Sequence, residues 1–260
     1  MGRPTALVTG GRRGIGRGIA LALAARGFNL AINDVGLDDD AEETLTALRA
    51  TGAQAEFLPG DVADTAIHTA LVGRAWDIFG SVECLVNNAG VQVARRGDIL
   101  EDTPEDFDRV MGVNIRAGYF LTIAMAQRMI AAPAAEVPSK DRPRAIVNVA
   151  SVNSEMVSVN RGSYCVSKAA VSMMTQLFAL RLAPHGIMVN EVRPGIIQTP
   201  MTAGVTDSYG RLIQDGFVPL RRWGLPADIG ATVALLASGE MPFVTGQAIH
   251  VDGGLHIQDF

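Results

Sequence analysis

The sequence predicts an α/β domain built around a parallel sheet, and three observations carry that prediction. Apolar runs of strand length alternate throughout with segments of helical period, as successive β-α units require. Hydrophobic residues make up 48% of the chain and mean hydropathy is +0.22, which suits strands buried on both faces and flanked by helices. No repeat, low-complexity segment or composition break marks a second domain, so residues 1–260 are read as one. A chain of this size buries roughly 70–75% of its unfolded surface, and such a core needs neither disulfide nor metal.

The expected strands are 6–9, 29–34, 54–59, 84–87, 145–150, 188–192 and 248–251. Helical stretches start near Gly14, Asp39, Thr65, Thr103, Ser163 and Pro226. Thr103-Pro104 sets an N-cap before a proline, with Asp106 three residues after the threonine. Two stretches interrupt the rhythm. Residues 132–144 are polar and proline-bearing and are expected as a surface loop. Residues 198–223 contain Gly204, Gly210 and Gly216, and read either as a mobile lid or as an ordinary long excursion.

Charge and cysteine content exclude several classes of function. The formal charge is −5 with acids and bases mixed, so no basic stripe for nucleic acid exists. No apolar run reaches the ~20 residues of a membrane span, and Arg26 interrupts the longest candidate. The first residues run straight into an apolar strand, leaving no room for a secretory leader. Ala6 stands where a myristoylation signal wants Ser or Thr. Cys84 and Cys165 are too few for a disulfide framework, lack metal-ligand spacing, and read as small core residues. The expected compartment is a reducing cytoplasm, and no metal is expected.

The first strand ends in Thr9-Gly10-Gly11-Arg12-Arg13-Gly14-Ile15-Gly16, and a helical pattern follows at once. Glycines in a strand-to-helix turn let backbone approach a pyrophosphate, whose charge meets the free N–H groups of the helix terminus. The spacing is T-G-x-x-x-G-x-G rather than G-x-G-x-x-G, and alone it could mark only a tight turn. Asp34, at the end of the second strand, lies 18 residues past Gly16. A carboxylate about 20 residues on is placed to hold the adenosine ribose hydroxyls. Its charge would repel a 2′-phosphate and so favours NAD(H) over NADP(H). Arg12 and Arg13 pull the other way, because a guanidinium near that ribose could accept the phosphate.

Tyr164 and Lys168 are four apart in a stretch of helical spacing, which puts phenol and ammonium on one face. A free tyrosine, with pKa ≈ 10, is too weak an acid for efficient proton exchange at neutral pH. A cation within ~4–6 Å can lower a pKa by ~1–3 units and make the phenol a usable acid–base group. Taken alone, Tyr-x-x-x-Lys is common by chance. Cys165 projects ~100° round the helix from the tyrosine and is given no catalytic role.

With these pieces in order, the sequence resembles the short-chain dehydrogenase/reductase family over essentially its whole length. The turn Thr9-Gly10…Gly14-Ile15-Gly16 is similar to that family's glycine motif, and Asp61-Val62 to its adenine-contacting pair. Asn87-Asn88-Ala89-Gly90 matches its N-N-A-G signature, and Ser151 stands at its serine position, thirteen residues before the tyrosine. Asn114 occupies the place of the family's asparagine, in the middle of a long helix. Pro194-Gly195-Ile196-Ile197-Gln198-Thr199 fits P-G-x-I-x-T, and 246–254 resembles the usual carboxyl-terminal ending.

The resemblance implies a Rossmann-type, doubly wound, seven-stranded parallel sheet and a hydride transfer between nicotinamide and a carbonyl or alcohol carbon. It implies that Tyr164 protonates the carbonyl oxygen, that Ser151 hydrogen-bonds it, and that Lys168 lowers the phenol pKa and holds the nicotinamide ribose. It further implies that Asn114 positions a water, and that Thr199 and the backbone of Ile197 fix the carboxamide. The substrate is a small carbonyl or alcohol, met by Gln92, Val93, Val152, Asn153, Arg161 and the 198–223 segment, Met201 included. A 3-oxoacyl or general ketone reductase is the first reading, and a sugar or polyol dehydrogenase the nearest rival. In carrier-protein reductases of the family a basic residue usually stands where His185 sits, and a neutral histidine weakens that variant. A non-catalytic nucleotide sensor would be expected to have lost Tyr164 or Lys168. Assembly into a homotetramer or dimer is also implied.

Overall fold

The computed structural model describes residues 2–132 and 144–257. Its elements are β1 (Thr5–Thr9), α1 (Gly14–Ala25), β2 (Asn29–Asp34), α2 (Asp39–Ala50), β3 (Ala55–Pro59), α3 (His68–Phe79) and β4 (Cys84–Asn87). There follow α4 (Pro104–Met111), α5 (Gly118–Ala131), β5 (Arg144–Val149), α6 (Gly162–Leu182), β6 (Ile187–Pro194), α7 (Thr206–Gln214), α8 (Pro226–Ala237) and β7 (Ala248–Val251). The expected strands are all present, with ends differing by two residues at most. The 132–144 stretch lies outside the described residues except at its two ends.

The strands form one sheet in the order β3-β2-β1-β4-β5-β6-β7, and every pairing is parallel. Strand order runs outward from β1 in one direction to β3, then restarts on its other side at β4. The crevice outside the carboxyl ends of β1 and β4 is therefore the switch point where such sheets bind ligands. Alternation along each strand supplies two cores. Ala6 and Val8 face Ile19, Leu23, Leu48, Ile229 and Val233 on one side, while Leu7 faces Leu71, Trp76, Leu121 and Met125 on the other. Cys84 is fully buried in the first of these cores, where burial pushes its thiol up to about 12. Cys165 is only half-buried, with its Sγ 3.7 Å from the Ser158 carbonyl.

Local chemistry explains the helix starts. Asp38 caps α2 by accepting from Ala41 N at 3.1 Å, and Thr103 caps α4 by accepting from Asp106 N at 3.3 Å. The long helix expected after Thr103 is continuous into α5, but Gly112–Ala117 winds as a π-helix. Such wide turns in a helix are often found at functional sites. Among the described residues, no helix is long and apolar enough to cross a membrane.

Candidate active site

A cavity of about 930 Å³ opens at the switch point. With the exceptions of Thr9, Asn114 and Val93, which is buried in the core, every residue that the sequence placed individually at nucleotide or substrate lines this one cavity. Its floor at one end is the β1–α1 turn. The N-cap of α1, Arg13, makes no side-chain cap, and the first turn holds no acid. The free N–H groups and dipole of that terminus thus remain available to an anion. Gly16 explains how close the backbones come here: a Cβ built on it would lie 2.1 Å from the Gly10 carbonyl oxygen.

Thr9 and Asn88 hold this turn from behind. Thr9 Oγ1 accepts from the backbone N–H groups of Asn88 and Ala89, both at 3.1 Å. The Asn88 side chain donates to the carbonyls of Thr9 at 2.8 Å and Gly10 at 3.0 Å. Thr9, expected as a nucleotide contact, is buried and serves the turn instead.

At the end of β2, Asp34 faces the same end of the cavity. Arg12 Nε lies 3.4 Å from its carboxylate, and the Arg12 guanidinium also pairs with Asp38. Arg13 pairs with Asp40 at 3.4 Å. Both arginines that could have received a 2′-phosphate are therefore already matched by carboxylates.

The other end of the cavity is built by the ends of β4, β5 and β6 and by α6. Ser151 leaves β5 as the cap of a short 3-10 turn, its Oγ accepting from Asn153 N at 3.1 Å. Lys168 is buried, donates from Nζ to the Val149 carbonyl at 2.8 Å, and sits 5.7 Å from the centroid of the Tyr164 ring. Arg161 lies over the same ring at 5.9 Å. The tyrosine and lysine thus share one face of α6 and point at one cavity.

Charge on this pair differs from what their spacing alone suggests. Burial raises the Tyr164 phenol above its ordinary value, against the Ser151 hydrogen bond and the Arg161 and Arg96 cations that pull it down. Burial also lowers Lys168 to about 8, opposed by Glu191. The phenol's own burial thus outweighs the groups that lower it, and the depression expected from its neighbours is not realised. Lys168 holds fewer protons folded than unfolded between pH 8 and 10.5, so wild-type stability should rise across that window relative to Lys168→Met. The relative gain expected in urea unfolding is on the order of 2–3 kcal/mol. A difference that stays level from pH 7 to 10.5 would contradict the burial assigned to Lys168.

Asn114 lies in the π-helical stretch and is buried. Its amide donates to the Val91 carbonyl and to Ser167 Oγ, both at 3.0 Å, while its oxygen accepts from Val91 N at 2.7 Å. Both amide hydrogens are committed, so its side chain locks the wall after Gly90. Thr199 N donates to Thr202 Oγ1 at 3.0 Å, and that hydroxyl donates to the Ile197 carbonyl at 2.8 Å.

Two groups escaped the sequence reading. Behind Lys168, Glu191 Oε1 accepts from Ser172 Oγ at 2.8 Å and from Arg193 Nε at 2.6 Å, and Arg193 also pairs with Glu155. The signal was available: a glutamate inside an apolar strand is costly unless paired. Arg96 and Tyr209, 3.4 Å apart across the cavity mouth, carry no such mark in the sequence, because only the fold brings them together.

A switch-point crevice with an open helix terminus at one end and a buried phenol beside an ammonium at the other is the layout of a dinucleotide-dependent oxidoreductase. A family model described as Enoyl-(Acyl carrier protein) reductase matches residues 10–256. The chain belongs to the short-chain dehydrogenase/reductase family, enzymes acting between CH–OH and C=O. A crystal structure of 3-oxoacyl-[acyl-carrier protein] reductase from Brucella melitensis in complex with NAD is 49% identical, with a TM-score of 0.94 and 100% of both chains covered. The 3-oxoacyl-[acyl-carrier-protein] reductase FabG of Staphylococcus aureus is 36% identical over 253 residues, 97% of this chain and 98% of its own. The 2-dehydro-3-deoxy-D-gluconate 5-dehydrogenase of Dickeya dadantii is 35% identical over 252 residues, 96% of this chain and 94% of its own.

Proposed function

We propose that this chain interconverts a ketone and a secondary alcohol on a small molecule, with Tyr164 as its acid–base group and NAD(H) as its favoured nucleotide. The observation that carries the reading is the convergence of Ser151, Tyr164 and Lys168 on the cavity that also holds the glycine turn. The open terminus of α1 and the close approach at Gly16 fit a pyrophosphate. A bound nicotinamide dinucleotide supplies the hydride in reduction and takes it up in oxidation. The side chains do the rest. Ser151 donates to the carbonyl oxygen as charge develops there, a contact whose loss typically costs ~2.7–4 kcal/mol. Tyr164 Oη gives that oxygen its proton. Lys168 spends one hydrogen on Val149 and has two left for ribose hydroxyls. Asn114 positions the wall at Val91, and Thr199 with the Ile197 backbone holds the carboxamide. Residues 198–223 act as a lid over the substrate.

Asp34 is the ribose reader in this proposal, and the pairing of Arg12 and Arg13 with acids supports NAD(H) over NADP(H). The Brucella relative crystallised with NAD supports the same choice. In Asp34→Ala the ratio of kcat/KM with NADPH to that with NADH should rise about tenfold or more, the worth of a charged hydrogen bond. Nucleotide oxidation followed by absorbance measures it, and an unaltered ratio would remove Asp34 from the role.

A 3-oxoacyl or general carbonyl reductase is the reading that the Staphylococcus and Brucella relatives support, while the Dickeya relative supports a sugar-acid dehydrogenase. Val166, Met173, Leu177 and Leu180 form an exposed apolar stripe along α6, 50% to 82% accessible, which supports pairing with a second copy of the chain. A dimer or tetramer in a reducing cytoplasm completes the proposal.

A further inference from the structure

The charges lining the cavity are divided by position. Its two acids, Asp34 and Asp61, stand at the carboxyl ends of β2 and β3, where the ribose and adenine are read. Among the described residues, its reaction end contains Arg96 and Arg161 and no acid. The pairing pattern sharpens the contrast. Arg12 and Arg13 are matched by carboxylates, and the neighbouring Arg95 pairs with Glu101 at 2.5 Å. Among the described residues, neither Arg96 nor Arg161 has an ion-pair partner.

These two guanidiniums are also close to the chemistry. Arg161 Nε is steadied by Ser158 Oγ at 3.1 Å while the group lies over the Tyr164 ring. Arg96 lines the same cavity, its Nη1 3.4 Å from Tyr209 Oη. Both cations act on the phenol. Gln92, which also lines the cavity, has its side-chain oxygen buried without a partner, an acceptor for a hydroxyl. Among the described residues, a protein of net charge −5 thus keeps two cations without a carboxylate partner at the place where a substrate must sit.

We infer that Arg96 and Arg161 receive a carboxylate carried by the substrate itself, so that the enzyme acts on a free oxo or hydroxy acid. This rests on the reading of the site as a carbonyl reductase and narrows it. Guanidinium groups match a carboxylate with paired donors. A phosphate on a carrier arm is the other anion available to a reductase of acyl thioesters. Arg161 favours the carboxylate, because it lies against the phenol, within a few bonds of the reacting carbonyl, whereas a carrier phosphate is separated from that carbonyl by the length of its arm. In a thioester, moreover, the carboxylate is consumed.

The test is a comparison of matched ketones with NADH: 3-oxobutanoate against 3-oxobutanamide, 4-oxopentanoate against its amide, and 3-oxobutanoyl-CoA. Wild-type enzyme should favour each acid over its amide by about tenfold or more in kcat/KM, chiefly through KM. That preference should shrink by about the same factor in Arg161→Gln and in the more exposed Arg96→Gln. Because each ratio compares two substrates on one phenol, any effect of the substitution on Tyr164 cancels. Amides reduced as well as acids, or a preference unchanged in both variants, overturns the inference and leaves the reductase reading standing. Loss of CoA-thioester turnover in the variants without any acid preference assigns the arginines to a carrier phosphate and overturns it too. Failure of wild type to exceed Tyr164→Phe on every ketone instead sinks the reductase reading, and the inference with it.

Discussion

Replacing Tyr164 with phenylalanine should reduce kcat by about 10²–10⁴-fold, the range typical of a lost general acid. Nucleotide affinity should change little. Phenylalanine keeps the ring that packs beside Lys168 and under Arg161, and removes only the phenol oxygen. The direction of the phenol shift adds a pH signature. Because burial raises the phenol, it stays protonated at neutral pH and is ready to donate in reduction. Reduction should therefore hold steady through neutrality and decline only in alkali, while oxidation, which needs the phenolate, should accelerate as pH rises. Steady-state rates in both directions, with NADH affinity from fluorescence titration, separate chemistry from binding. Turnover undiminished in the variant would remove the phenol from the mechanism.

The second large effect is expected at Gly16. An alanine Cβ there would lie 2.1 Å from the Gly10 oxygen, 2.6 Å from Asn88 Nδ2 and 2.9 Å from the Gly10 carbonyl carbon. None of these can yield cheaply. Gly10 is backbone, and the Asn88 amide is held by its bonds to Thr9 and Gly10. The start of α1 must therefore move away from the turn, and the N–H groups aimed at the pyrophosphate move with it. Losing two such charge-assisted bonds predicts NADH affinity lower by about 10²-fold or more. Overpacking adds about 1–3 kcal/mol of destabilisation, read from urea unfolding. Gly14→Ala is the informative contrast. Gly14 has φ +57°, yet its nearest neighbour to a new Cβ is 3.7 Å away. It should lose about 1–2 kcal/mol to left-handed strain and keep more of its affinity. If Gly16→Ala binds NADH like wild type, the cradle is not where the nucleotide lies.

Much of the site was legible because its parts are local. Tyr164 and Lys168 are one helical turn apart, Gly10 to Gly16 form one turn, and each is a fixed distance along the chain from its partners. The lock formed by Asn114 is less visible. Its helix was expected, but the π-helical winding of Gly112–Ala117 and the bonds to Val91 and Ser167 depend on three segments meeting. The 198–223 stretch, open between lid and plain excursion, contains α7, whose Tyr209 packs edge-on against Trp223. Glu191 went unread in an apolar strand, and only the packing of α6 on β6 reveals that Ser172 and Arg193 compensate it.

The amino-acid order alone determined the α/β architecture, the place of the glycine turn, and the identity of the acid–base pair. These depend on periodicity and short spacings, which any window of the chain carries. Tertiary structure alone decided the balance of charge: which arginines are neutralised, how far burial weakens Lys168, and that Arg96 and Arg161 line one cavity with the phenol. Electrostatic energy depends on distance through space and on exclusion of water, and neither is written along the chain.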